Sequence, residues 1–205
     1  MKFESAHPSV VKSIRQRVLL NAWLRAHRMS GRLPTTRDFR PDEIADEFPD
    51  MMNYDVEGCG DSARFRITHE GWRLATTYGF EPPDKRVDRY LDQVIGPERY
   101  ARVAPCYLTL LARKRPTYSI SLVQDADGKD VTFERLLLPF GSADHVEQII
   151  GSFKAISVDG GFRIDNLLGI QAKAVPVRIV NAVIDLDVVP SQPTHRPSDD
   201  IIELG

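Results

Sequence analysis

The adjacent residues His69 and Glu70, close to Trp72, form the pair in this sequence that could carry chemistry. An imidazole beside a carboxylate can hydrogen-bond a ligand or accept a proton, and such pairs occur in binding and active sites. The same two residues also fit the solvated end of a β-strand. Both interpretations of the pair stay open at the level of the sequence.

Recognised catalytic motifs are absent from the sequence. It contains no glycine-rich phosphate loop, HExxH pair, nucleophile elbow or cluster of metal ligands, and its five histidines are scattered. We therefore expect a protein that is not an enzyme and has no metal site. A small-molecule enzyme on a cupped sheet is the alternative, and it would need His69 with Glu70, or Asp88 with Asp92, inside a cavity.

The two cysteines do not identify a cofactor. Cys59 lies in a glycine-flanked turn, where an exposed, oxidisable thiol and a small turn residue are equally good interpretations. Cys106 lies in a predicted helix and should be buried. Light-sensing flavin domains need a cysteine in a motif of their own, which neither position supplies, and nothing beside His69 marks a haem pocket. The cofactor is unknown.

The net charge of −2 is distributed unevenly along the 205 residues. Residues 1–40 contain nine Lys or Arg and two Asp or Glu, a balance of +7 that leaves −9 for the remainder. We interpret the basic segment as the solvent face of a helix lying on its own acidic body. A nucleic-acid adaptor is the alternative, but the basic clusters at 64–66 and 113–115 lack interleaved aromatic residues, so we do not expect nucleic-acid binding.

Membrane segments are not predicted. No stretch reaches the roughly 20 apolar residues that span a bilayer. The first eight residues lack the apolar core of a signal peptide. We therefore expect a cytoplasmic protein with no membrane partner.

Hydrophobic spacing and turn residues divide the chain into helices and strands. Two strands come first, a helical segment follows, and three strands come last. The predicted helices are Ser9–Met29, Pro41–Phe48, Glu70–Gly79, Asp84–Val94 and Gly96–Arg113, and the predicted strands are Met52–Glu57, Ala63–His69, Thr117–Gln124, Val131–Phe140 and Val146–Ile156.

This order predicts an α+β fold, in which a five-stranded antiparallel sheet carries the middle helices on its inner face. The three adjacent leucines 136–138 indicate that both faces of the fourth strand are covered. A ligand pocket, if the core holds one, should lie between the helices and the sheet, although the same residues suit an ordinary core. The candidate pocket residues are Phe65, Ile67, His69, Trp72, Tyr78, Tyr107, Tyr118 and Ile120.

The first helix is apolar over much of its circumference, which indicates contact with two surfaces. One of those surfaces could belong to a second copy of the chain or to a partner. We therefore expect a homodimer, with the interface formed by this helix and the apolar outer face of the sheet. The candidate interface residues are Val11, Ile14, Val18, Leu19, Trp23 and Leu137.

Four segments are predicted along the chain. Residues 1–31 form a flanking helix, 32–157 the sheet domain, 158–189 a β extension of unknown placement, and 190–205 a disordered tail. Within the extension, the alternation of apolar residues changes parity near Val180, which predicts a bulge or a bend.

Several landmarks resemble a PAS-like family that is frequent in alphaproteobacterial proteins. They cover about residues 20–157, and their order and spacing carry the similarity more than any one of them. The landmarks are Trp23, Arg32-Leu33-Pro34-Thr35-Thr36-Arg37-Asp38-Phe39-Arg40-Pro41, Ile44, Phe65-Arg66, Tyr78-Gly79 and Glu134-Arg135-Leu136-Leu137-Leu138-Pro139-Phe140.

The resemblance implies a sensory or regulatory module that is not an enzyme, is usually dimeric, and often acts beside a histidine kinase. It also implies a core that can hold a small-molecule ligand. The chain departs from the family pattern on the helical wall of the pocket, where His69-Glu70 replaces Gly-Thr and Asp84-Lys85-Arg86 replaces Thr-Gly-Arg. The implied fold survives these departures, but no particular ligand can be carried over.

Overall fold

The computed structural model describes residues 2–41, 44–79, 86–142, 145–157, 161–165, 167–168 and 176–187. Seven strands form a single sheet, so the predicted α+β class is confirmed and two strands are added. The strands are β1 Glu4–Ala6, β2 Met51–Glu57, β3 Arg64–Glu70, β4 Thr117–Gln124, β5 Asp130–Ser142, β6 His145–Ile156 and β7 Val177–Ile184, and the α-helices are α1 Ile14–Ser30, α2 Trp72–Thr77, α3 Leu91–Ile95 and α4 Pro97–Arg113.

The strand order across the sheet is β1-β7-β4-β5-β6-β2-β3. The five predicted strands are adjacent and antiparallel, and the helical segment lies between β3 and β4 in the chain. This is the PAS-like arrangement that was predicted. The added strands extend it beyond β4, where β7 pairs antiparallel with β4 and the short β1 pairs parallel with β7.

The inner face of the sheet packs against α2, α3 and α4. Its apolar cluster includes Phe65 and Ile67 from β3, Tyr107 from α4 and Leu137 from β5. A 17-residue helix places one stripe of side chains on the sheet, and α4 does this along the centre of the face. The predicted pocket would therefore lie between the inner face of the sheet and these helices.

The outer face of the sheet is covered by α1 of the same chain. Trp23 is fully buried there, and its indole Nε1–H donates to the Pro139 carbonyl oxygen at 2.7 Å. Gln16 is buried beside it and donates from Nε2 to the Ser152 carbonyl oxygen at 2.9 Å. The leucines at 136 and 138 complete this second core.

This packing corrects the interface prediction for four residues. Val11, Leu19 and Trp23 are buried under α1 in the outer core, and Leu137 is buried in the inner core, so none is available to a second subunit. Ile14 is 72% exposed, and Val18 is half-buried. The wide apolar girth of α1 reflects deep burial in its own chain.

The first helix begins at Ile14, later than predicted, because the sheet binds the segment in front of it. Residues 8–10 form a 3₁₀ turn, and the Ser13 side chain caps α1 by accepting from the Gln16 N–H at 3.5 Å. The buried Glu134 carboxylate accepts from the Ser13 N–H at 3.2 Å. The helix ends at Ser30, one residue beyond the predicted end, and its cap residue Gly31 has a left-handed φ of 64°.

The structure corrects two helical predictions. The helix predicted over 84–94 is a shorter α3, because the Asp88 N–H donates to the Ile67 carbonyl oxygen and the Ile67 N–H donates to the Arg89 carbonyl oxygen, at 2.8 and 2.9 Å. These bonds hold residues 88–89 against β3. The helix predicted over 41–48 is a 3₁₀ segment, Ile44–Asp50.

The β extension joins the sheet as β7. The β4–β7 register shifts between Ile120 and Ser121, which leaves Ile179 as the extra residue of a bulge one position before the predicted one. Through β1 and β7, residues from the predicted flanking segment and from the predicted extension share the sheet of the central segment. The predicted tail 190–205 lies outside the described residues.

Trp23→Ala should destabilise the protein by about 3–5 kcal/mol, because it removes a large buried side chain and a buried hydrogen bond. Urea unfolding followed by circular dichroism measures this loss. Met29→Ala is the matched control at an 88% exposed position of the same helix, and it should change the unfolding free energy by less than about 0.5 kcal/mol. Equal stability of the two variants would contradict the packing of α1 on its own sheet.

Candidate functional site

His69 and Glu70 point in different directions from the end of β3. The His69 ring packs edge-on against Phe48, with centroids 5.7 Å apart, and its Nε2 lies 3.3 Å from the Phe48 carbonyl oxygen. The Glu70 side chain is fully buried. The predicted pair therefore does not act on one site, because successive residues of a strand face opposite sides.

Glu70 instead forms a buried ion pair with Arg86, whose Nη2 lies 2.9 Å from Glu70 Oε2. Burial raises the pKa of Glu70 to about 7, and the Arg86 charge only partly opposes this rise. Burial also lowers the pKa of Arg86, against the attraction of Glu70. Glu70 is thus a carboxyl group that changes its protonation near neutral pH.

The other contenders for an enzymatic pair do not meet in a cavity. Asp88 binds Arg66 with its carboxylate at 2.8 Å, and Asp92 binds Arg64 at 3.0 Å, both at the surface of β3. Trp72 is 58% exposed at the start of α2, so its prediction as a pocket residue was wrong.

Tyr118 and Ile120 lie on the outer face, so their prediction as pocket residues was wrong as well. Both belong to the apolar cluster under α1. Tyr118 is buried, and its hydroxyl accepts from the Lys12 N–H at 3.2 Å. The remaining candidates, Phe65, Ile67, Tyr78 and Tyr107, do come together on the inner face.

The inner face of β4 carries hydroxyl groups where apolar residues were expected. Thr117, Ser119 and Ser121 point towards α4 and are all buried. Ser119 lies opposite Arg135 of β5 on one side and opposite Asn181 of β7 on the other, and Ser121 lies opposite Arg178. We call the group Ser119, Ser121, Arg135, Arg178 and Asn181, with Cys106 of α4 facing it, the inner polar patch.

Arg135 is the most buried charge in this patch. Arg135 is 6% exposed, and its Nη1 donates to the Cys106 sulfur at 3.7 Å. Its guanidinium carbon lies 5.7 Å from the centroid of the Phe153 ring. Its Nε–H has no acceptor among the described residues. Burial opposes the charge, but Cys106 and neighbouring tyrosines favour it, and together they raise the pKa of Arg135. Arg135 is a permanent cation inside the core.

Arg178 approaches the same thiol from β7. Its Nη1 lies 2.8 Å from the Cys106 sulfur and 3.5 Å from the Asn181 side-chain oxygen. Burial lowers the pKa of Arg178, Cys106 opposes this, and the nearby Arg135 charge lowers it further. Two guanidinium groups therefore converge on a single sulfur.

A pair of buried tyrosines lies beside the patch. The hydroxyl oxygens of Tyr54 and Tyr107 are 2.8 Å apart, and the two rings meet edge-on. Burial raises the pKa of both phenols, so both are neutral at physiological pH. They supply neutral hydrogen-bonding groups near a positive charge.

A cavity of about 210 Å³ opens between α2 and the inner face of β5 and β6. Phe153 lines it and also lies under the Arg135 guanidinium, so this residue is common to the cavity wall and the surroundings of the patch. The full lining is Asp50, Arg73, Leu74, Thr77, Phe133, Phe153, Lys154, Ala155, Phe162 and Ile164. At its polar side, Asp50 accepts from Arg73 at 2.6 Å and from Lys154 at 2.7 Å.

The described residues contain neither a cluster of possible metal ligands nor a helix that could cross a membrane. Within them, no three His, Cys, Asp or Glu side chains are close enough to hold a metal ion. Cys59 is exposed in its turn, and Cys106 is buried. Across the same residues, every helix is too short or too polar to cross a bilayer.

Comparison with known proteins gives structural similarity alone. No family model matches the chain, and no curated protein matches it. One similar structure is described as "Flavin Analogue Sheds Light on Light-Oxygen-Voltage Domain Mechanism", with 17% identity, 53% of this chain and 78% of that chain covered, and a TM-score of 0.37. Another is the light-state structure of the blue-light photoreceptor Aureochrome1 LOV, with 16% identity, 58% and 91% covered, and a TM-score of 0.36.

Both TM-scores are below 0.5, so the PAS-like assignment rests on the strand order and on the helical segment over the inner face. Membership of the alphaproteobacterial family stays a prediction.

Sequence reasoning missed the charged members of the inner face. Arg135 alternates with Phe133 and Leu137 along β5, and an arginine at an inward position of a doubly covered strand is a detectable signal. Cys106 was expected to be buried, but its contact with two arginines could not be foreseen. Arg178 lies in an extension whose placement the sequence did not give.

The Glu70 carboxyl should make the stability of the protein fall as pH rises. Its folded pKa of about 7 exceeds the unfolded value of 4.5, so this contribution is complete below pH 4.5 and is lost as pH rises through about 7. The difference corresponds to about 3 kcal/mol. Urea unfolding from pH 5 to 8.5 should show this loss in the wild type and a flatter profile in Glu70→Gln.

Glu98→Gln, at an exposed position of α4, is the control, and it should keep the wild-type pH profile. If Glu70→Gln and the wild type have parallel profiles over this range, Glu70 does not titrate near neutral pH.

Proposed function

We propose that this chain is a cytoplasmic PAS-like sensory or regulatory module and not an enzyme. Its inner core, between the sheet and the middle helices, binds a small molecule. The supporting observation is the cavity of about 210 Å³ beside the inner polar patch, in the layer between helices and sheet. A close-packed core has few voids larger than a water molecule, and burying a charge such as that of Arg135 with only part of its hydrogen-bonding capacity used is costly. Binding there would shift the protein between two states that differ in affinity for the ligand.

The regulatory output is association with a second protein. We propose a homodimer, with a signalling protein such as a histidine kinase as a further partner, following the resemblance to the alphaproteobacterial family. Nucleic acid is not proposed as a partner, because part of the basic first segment is used internally: Arg15 of α1 contacts Asp46 at 3.0 Å and Glu47 at 3.7 Å.

The enzyme alternative has no support from the placement of its residues. His69 contacts Phe48 at the surface, Glu70 is buried against Arg86, and the two aspartates are bound by surface arginines. A general acid and a general base must both lie within hydrogen-bonding distance of the reacting atoms of one substrate, and these groups do not share a cavity.

Filling the cavity should remove the bound molecule. Ala155 lines the cavity, and Ala155→Leu adds three carbon atoms to it. Native mass spectrometry of freshly purified protein should find a non-covalent small molecule on the wild type and none on Ala155→Leu. Ala101→Leu is the matched control on the exposed side of α4 and should keep the adduct. A wild type without an adduct, or an adduct that survives in Ala155→Leu, would contradict binding in this cavity.

Light scattering after size exclusion tests association. We expect a wild-type dimer, and Ile14→Lys should weaken it because Ile14 is the exposed residue among the interface candidates. A charge at an apolar contact opposes association, whereas the fold should tolerate it at an exposed position. Met29→Lys, at the other end of α1, separates a local contact from a general effect of charge. A monomeric wild type at every protein concentration would rule out the homodimer.

A further inference from the structure

The inner polar patch places two guanidinium groups around one sulfur atom. Arg135 and Arg178 both point at the Cys106 sulfur, at 3.7 and 2.8 Å. A thiol is a weak hydrogen-bond acceptor, so the Cys106 sulfur leaves the buried Arg135 guanidinium poorly satisfied. The other members of the patch, Ser119, Ser121 and Asn181, are uncharged.

Arg135 is the most deeply buried charge of the patch, and its hydrogen-bonding capacity is only partly used. It is more than nine-tenths buried, and the acceptor that the structure gives it within the described residues is the distant Cys106 sulfur. Its Nε–H is buried without an acceptor. Leaving a buried cation in this condition is costly, and proteins keep such groups where a ligand completes them.

We propose that the inner polar patch binds the carboxylate of a small organic acid, with Arg135 as its main ligand-binding residue. This inference rests on the proposed function, since it names the ligand class of the same core. A planar carboxylate matches the fork of a guanidinium group and can accept two parallel hydrogen bonds from it. Arg178 and the hydroxyl groups of Ser119 and Ser121 provide further donors around the same point.

The cavity suggests where the rest of such an acid would lie. Phe153 is shared by the cavity wall and the Arg135 contact, so an apolar body in the cavity and a carboxylate at the patch would be neighbours. The cavity volume of about 210 Å³ lies below the range of roughly 300–1,000 Å³ that holds drug-sized ligands. The ligand is therefore a small acid with an apolar portion.

Matched acids and amides test the charge directly. Butyrate, benzoate and phenylacetate have almost the same shapes as butyramide, benzamide and phenylacetamide, which lack the charge. Calorimetry and thermal unfolding on the full chain should show at least one acid binding about tenfold or more tightly than its amide, since a charged hydrogen bond is lost in the amide. The proposal is overturned if no acid of the three exceeds its amide.

These outcomes separate the inference from the proposed function. Amides that bind as tightly as their acids would leave the core as a ligand site and overturn the carboxylate. A native adduct that proves to be uncharged would do the same. Absence of any adduct and of any binding would remove both.

Arg135→Met distinguishes a ligand-binding arginine from a structural one. Methionine has a similar reach without the charge, so the unliganded variant should unfold at the same or a higher temperature than the wild type, and its preference for acids should be lost. Arg89→Met, at an exposed position, is the control and should keep that preference. A lower unfolding temperature in Arg135→Met together with an unchanged preference for acids would overturn the proposal.

Arg178→Met provides a second variant at a less buried position, and it should also reduce the preference for acids. Cys106→Ala tests whether the thiol itself is the anion as a thiolate. Under the proposal, this variant binds acids with the same selectivity as the wild type. Selectivity for acids that appears in Cys106→Ala alone would mean that a Cys106 thiolate fills the site, and it would overturn the proposal.

Discussion

The central constraint of this protein is that β5 is covered on both faces. Leu137 packs into the inner core, while its neighbours at 136 and 138 pack under α1. A strand in this position tolerates no water on either side, so the chain must supply a helical layer for each face. The middle helices cover the inner face, and α1 covers the outer face with Trp23 at its centre. Because α1 covers the outer face, its exposed side is the part of this helix that could support the proposed association.

Much of the fold could be predicted because its signals are local. Alternation and turn residues gave β4 with its observed bounds, and the leucines of β5 predicted double coverage. Helix ends were less accurate, since distant partners determine them. Glu134 and Tyr118 bind the segment before α1, and backbone bonds to Ile67 prevent a longer α3. Such contacts join residues more than twenty positions apart and leave no local pattern.

The site was harder to predict because the alternation of polar and apolar residues along a strand does not say which set faces the inner side of the sheet and which faces the outer side. Along β4, Tyr118 and Ile120 form the apolar set, and Ser119 and Ser121 the polar set. The prediction turned the apolar set towards the middle helices. In the structure, α1 covers an apolar outer core, and Tyr118 and Ile120 face that core. A change of face exchanges every side chain of a strand, so assigning β4 to the wrong face exchanged an apolar wall for the inner polar patch.

The two charges at the middle of β5 show how the cores differ. Glu134 and Arg135 are consecutive and buried, but alternation puts them on opposite faces, so they cannot form a pair. Glu134 has a hydrogen-bond partner on the outer face, because its carboxylate accepts from the N–H of Ser13 at the start of α1. Negative charge is favourable at the start of a helix. Within the described part of the chain, Arg135 contacts the Cys106 sulfur on the inner face, and its Nε–H has no acceptor. A displacement of the β5 backbone at Arg135 would therefore act within one residue of the contact that anchors α1. The inner polar patch is in this way linked to the helix on the opposite face of the sheet.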